Sequence, residues 1–183
     1  MRRARMVGGS RRGAVAMFLT GEQVGLAGEI AEALTSRGET VAVAESTTGG
    51  LVSAALLSVA GASRYYAGGA VVYTLNSRIQ LAGVAPERYE HYRGTTEEML
   101  AELAESLRAR LGATWGVGES GLAGPTGGRS GAPAGRTTLA VAGPVSRTAV
   151  VETGFDDRGE NMSVFTTRTL SFLLEALRGL RPS

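Results

Sequence analysis

The chain has 183 residues, 43% of them apolar and 20% charged, with a formal net charge of +2. That suits one globular domain and does not point to nucleic acid as the main partner. With no cysteine and one histidine, disulfides, thiolate catalysis and Cys- or His-rich metal centres are excluded. All 19 basic residues are arginine, so the chain holds no lysine base, Schiff-base lysine or Walker-type lysine.

Residues 1–12 carry five arginines and run into a short apolar patch, Gly13 to Leu19, too short for a membrane span. Residues 1–20 are expected to be a disordered leader, and 21–181 a single domain. Glu22 to Ser36 reads as an amphipathic helix ended by Arg37-Gly38. Thr40 to Ala44 is a short strand, Thr48-Gly49-Gly50 a turn, and Leu51 to Val59 an apolar, buried helix. Gly61 to Tyr66 reads as a loop, Gly69 to Thr74 as a strand, and Ser77 to Leu81 as a helical turn. Thr95 or Thr96 caps a helix that buries Leu100, Leu103, Leu107 and Leu111. Thr114 to Gly118 is a strand, followed by a Gly/Pro loop, Glu119 to Ala134, long enough to be functional. Thr137 to Ala142 and Arg147 to Phe155 form a hairpin around Gly143-Pro144, and a last helix runs from about Asn161 to Leu180. This order predicts an α/β fold, a three-layer α/β/α sandwich with a mixed, mostly parallel sheet.

Four segments can carry chemistry. In Ala44-Glu45-Ser46-Thr47-Thr48-Gly49-Gly50, small residues lead from a strand into a helix N-terminus, whose amides can receive a phosphate or an oxyanion. Ser46 is a nucleophile or a helix cap there, and Glu45 a base or a structural acceptor. Ser120 to Gly128 is a shaped loop with four glycines among Gly121 to Gly128, at the end of a strand where open α/β sheets bind ligands. Tyr73 ends a strand, with Arg78 five residues on. Asp156-Asp157-Arg158 opens the last helix, where Arg158 can reach a phosphate.

In order along residues 22–180, these segments resemble the CinA family, specifically its C-terminal domain, also known as a nicotinamide-nucleotide amidohydrolase. The family turn AESCTGG matches Ala44 to Gly50, with Thr47 in the Cys place. G-S-S matches Gly61-Ala62-Ser63, and VTYSNEAK matches Val71 to Arg78. TGIAGPDGG matches Ser120 to Gly128, P-V-G matches Pro133-Ala134-Gly135, and G-D-R matches Asp156-Asp157-Arg158.

The resemblance implies a cofactor- and metal-free hydrolysis of the carboxamide of nicotinamide mononucleotide, giving nicotinate mononucleotide and ammonia. It assigns Ser46, Tyr73 and Arg78 to catalysis, and Glu45 is the candidate base that the residues themselves add. To substrate binding it assigns Thr47, Thr48, Gly49, Gly50, Gly121, Ala123, Gly124, Pro125, Gly127, Gly128 and Arg158. The expected partner is a small-molecule mononucleotide, with no nucleic acid or membrane, for a cytoplasmic homo-oligomer. Arg78 stands where the family has its proton-accepting lysine, and a guanidinium with a pKa above ~12 cannot take that role. The alternative is a catalytically inactive member that binds a nucleotide or phosphate. The family Asn falls on Leu75 or has slid to Asn76, its loop Asp falls on Thr126, and a later Arg falls on Met162.

Overall fold

The computed structural model describes residues 18–128 and 131–179. Its helices are α1 (Gly21–Arg37), α2 (Leu51–Leu57), α3 (Leu75–Gln80), α4 (Glu97–Arg110) and α5 (Arg158–Gly179). Its strands are β1 (Val41–Glu45), β2 (Tyr66–Val71), β3 (Trp115–Leu122), β4 (Arg136–Ala142) and β5 (Arg147–Glu152). The five strands form one sheet in the order β2-β1-β3-β4-β5. β1 pairs in parallel with β2 and β3, and β4 is antiparallel to both β3 and β5. Four of the five strands therefore run the same way, and only β4 opposes them.

One face of the sheet is covered by α1, α2 and α5 around Trp115, Tyr65, Ile30 and Leu173. The other face packs α4 and the α3 region around Leu100, Leu103 and Val72. Local sequence explains the placement of the helices. Thr20 and Gln23 form a reciprocal capping box at the start of α1, and Gly38, at φ 64°, closes its end in the left-handed region. The buried Gln23 amide also donates to the Ser163 carbonyl at 3.0 Å, tying α1 to α5. On β3, the positions facing α4 are Gly116 and Gly118. A Cβ on Gly118 would lie 3.1 Å from Leu100, so the missing side chains let α4 lie flush on the strand.

Several boundaries differ from the sequence expectation. β2 begins at Tyr66, inside the expected loop, because its pairing with Val41–Glu45 is made by the backbone of a Gly-containing strand. α3 begins at Leu75, since Thr74 and Ser77 cap it reciprocally. β3 continues through Glu119 to Leu122, because β4 pairs with it along that whole stretch. α5 begins at Arg158 and not at Asn161. Leu19 is buried in the core and Thr20 is a helix cap, so structured chain reaches into the expected leader. Residues 1–17 of that leader lie outside the described residues.

Candidate functional site

The last residue of β1, Glu45, and Glu119 of β3 are direct partners in the parallel register. Side chains alternate across a strand. Glu45 therefore shares a face with Val41 and Val43, and Glu119 with Trp115 and Val117, all in the cluster beneath α1, α2 and α5. Both carboxyl groups are fully buried and meet the turn between β1 and α2. Gly49 and Gly50 take φ values of 64° and 103°, which fold that turn back over them.

Glu119 Oε2 accepts from the amides of Ser46, Thr47 and Thr48 at 3.2, 2.8 and 3.0 Å. Its other oxygen accepts from the Thr137 hydroxyl at 2.7 Å. Glu45 Oε2 accepts from the Thr48 hydroxyl at 2.6 Å and from the amides of Gly50 and Val52 at 2.9 and 3.1 Å. Glu45 Oε1 accepts from the amide and hydroxyl of Ser53 at 3.0 and 2.5 Å. Burial pushes the Glu119 carboxyl above the usual carboxylate range, and the charge of Glu45 adds to that. The Thr137 hydroxyl and the Thr48 and Ser46 amides pull it back.

The sequence reading aims the amides of residues 46–50 at a bound anion. In the folded chain those of Ser46, Thr47, Thr48 and Gly50 meet the chain's own carboxylates. Glu45 is thus a structural acceptor, committed on both oxygens. Thr47 turns its hydroxyl to accept from the Gly121 amide at 2.6 Å. Gly49 faces Met162, whose Cε would lie 3.1 Å from an added Cβ. Ser46 is buried, and its hydroxyl makes no hydrogen bond to another described residue. It is not the cap of α2, which is Gly50.

Tyr73 is 60% exposed, and its hydroxyl accepts from Arg158 Nη2 at 3.4 Å. Arg158 Nη1 also donates to the Gly124 carbonyl at 3.2 Å, which joins Tyr73 to the glycine loop. The same loop is held by Asn161, whose amide donates to the Ala123 carbonyl at 2.9 Å and the Phe155 carbonyl at 3.0 Å. Gly124-Pro125 is a cis peptide.

Arg78 joins neither Ser46 nor Tyr73 by a hydrogen bond. It is buried and donates to the Val72 carbonyl at 3.3 Å, the Thr95 hydroxyl at 3.1 Å and the Ser120 hydroxyl at 2.7 Å. Thr95 and Ser120 line a cavity of about 990 Å³ between the segment before α4 and the glycine loop. Arg93, Arg136, Thr96 and Thr138 also line it, with Gly121, Gly127 and Gly128 on the loop side. Ser46 is not among its lining residues. Among the described residues no cluster of three or more His, Cys, Asp or Glu is placed to hold a metal ion, and no helix is long and apolar enough to cross a membrane.

The sequence matches the CinA C-terminal domain over residues 23–177. This chain belongs to the CinA family. It is 37% identical over 153 residues to a CinA-like protein of Desulfosudis oleivorans, covering 83% of this chain and 37% of that protein. It is 45% identical over 122 residues to one of Acidobacterium capsulatum, covering 67% of this chain and 29% of that protein. The chain thus spans about a third of the length of the curated relatives it matches. Among solved structures, a CinA superfamily protein from Klebsiella pneumoniae superposes with a TM-score of 0.81 at 26% identity, covering 86% of this chain and 99% of that one. A competence or damage-inducible protein from Enterobacter asburiae gives 0.79 at 30%, covering 85% and 98%.

Within this CinA domain the sequence reading missed Glu119, Thr95 and Ser53 as site-building residues. Glu119 was legible as a charged residue following the apolar alternation of Trp115 and Val117. The Gly/Pro content of the next residues drew it into the loop instead. Thr95 carries only the signal of a helix cap in the sequence. Ser53 carries no signal, because its role arises from the position of Glu45.

Proposed function

We propose that this chain binds a pyridine mononucleotide in the cavity lined by Thr95 and Ser120, without the Ser–Lys deamidation implied by its family resemblance. The observation that carries this reading is the commitment of Arg78 to Val72, Thr95 and Ser120. The position that would supply the base holds a permanent cation behind the wall of an open cavity. A volume of about 990 Å³ suits a small ligand. The hydroxyls of Thr95, Ser120 and Thr138 and the guanidinium groups of Arg93 and Arg136 suit anionic oxygens. Titration calorimetry with nicotinamide and nicotinate mononucleotides tests the reading. Saturable binding without ammonia release is expected, and failure of both to bind rejects it.

The uncommitted hydroxyl of Ser46 favours a second reading. In it Ser46 attacks the carboxamide carbon of nicotinamide mononucleotide, ammonia leaves, and water releases nicotinate mononucleotide. Glu45 accepts five hydrogen bonds and has no open position for the Ser46 proton, so a bound water serves as the base. Ammonia release that disappears in Ser46→Ala would replace the first reading with this one.

A further inference from the structure

Arg78 is 3% exposed, yet all its hydrogen bonds go to neutral groups. Its guanidinium carbon lies 6.0 and 5.9 Å from the ring centroids of Tyr89 and Tyr92. Among the described residues no carboxylate pairs with it. The two buried carboxylates on the opposite face of the sheet are saturated by amides and hydroxyls. A buried cation without a counter-charge is strongly unfavourable, and the Val72 carbonyl and two hydroxyl dipoles offset only part of the cost. The Tyr89 hydroxyl, on one of the rings beside this guanidinium, is also buried without a hydrogen-bond partner among the described residues.

The hydroxyls in front of Arg78 form a connected chain. Thr95 and Ser120 each accept from the guanidinium and lie 3.0 Å from one another, and the Tyr92 hydroxyl lies 3.0 Å from Thr95. Two hydrogen bonds join the three hydroxyls, so one O–H is left for a ligand. What this wall presents to the cavity is hydroxyls with the uncompensated charge of Arg78 behind them. A carboxamide is neutral and leaves that charge unanswered. A carboxylate offers two acceptors and the missing charge.

We propose that the wall of Arg78, Ser120 and Thr95 selects a carboxylate. The ligand of this cavity is then the acid, a nicotinate-type mononucleotide, and not the amide. This rests on the reading that a pyridine mononucleotide occupies the cavity. Calorimetry on the full chain compares nicotinate with nicotinamide mononucleotide. The acid is expected to bind about tenfold tighter or more, the scale of one charge-assisted interaction. Ser120→Ala, which removes one oxygen, should weaken the acid severalfold and the amide less. Arg78→Gln should erase the preference and Arg78→Lys keep it, with circular dichroism verifying each fold. Equal affinities, or tighter binding of the amide, overturn the selection and leave the mononucleotide reading standing. If neither compound binds, both fall.

Discussion

The turn after β1 and the wall of the cavity beside α4 both gather positive potential, and they differ in what answers it. At the turn the chain's own carboxylates do: Glu45 and Glu119 accept from the amides of Ser46, Thr47, Thr48, Gly50, Val52 and Ser53. At the cavity a buried arginine has only neutral partners. The two lie on opposite faces of β3, one carried by Glu119 and the other by Ser120. Their difference separates positive potential that the chain's own carboxylates answer from positive potential that only neutral groups meet. A filled site contributes stability and has no vacancy, while an unfilled one is costly to the free protein and holds binding capacity in reserve.

The largest test breaks the filled side. Glu45→Ala leaves three amides and the hydroxyls of Thr48 and Ser53 without their acceptor. It should cost more than ~3 kcal/mol in chemical denaturation, or prevent folding. Arg78→Met probes the other side. It removes an uncompensated buried charge while keeping much of its volume, so the loss in the same measurement should stay below ~1 kcal/mol, with the preference for the acid abolished. A stability loss for Arg78→Met matching that of Glu45→Ala would erase the distinction.

Glu119→Gln sharpens the comparison through pH. The Glu119 carboxyl is pushed up by burial, so the folded state holds its proton at pH values where the unfolded chain has released it. Stability from this group therefore falls as pH rises from the ordinary carboxyl range through the raised value. Glutamine can still accept from the turn amides while donating to Thr137. Urea midpoints measured across pH should show a flatter profile for Glu119→Gln. The smallest expected effect is that of Ser46→Ala, about 0.5 kcal/mol or less in thermal unfolding, since the hydroxyl holds nothing among the described residues.

Much of the fold was legible because it is written in local signals. Gly38 and Thr96 punctuate helices with ordinary capping chemistry, and the apolar stripes of α1, α4 and α5 have helical spacing. β2 was displaced because its pairing is a backbone property that Gly68 and Gly69 do not advertise. The candidate site was legible as segments and not as partnerships. Ser46, Arg78 and Ser120 all stood out, but the register that sets Glu45 beside Glu119 links residues far apart in sequence. No local pattern could show that the anion nest was already occupied, nor that Arg78 would turn to Ser120.

That register has a consequence in time. α2 has seven residues and follows Gly50, an N-cap residue that supplies no side-chain hydrogen bond. The turn before it closes on Glu119, a residue 71 to 73 positions away along the chain. So short a helix is not stable alone, and the turn cannot consolidate until β3 has docked beside β1. The segment bearing Ser46 should therefore form late. Loosening its contact with Glu119 should quicken unfolding and leave the refolding rate nearly unchanged, so the turn serves as a latch set after the sheet is made.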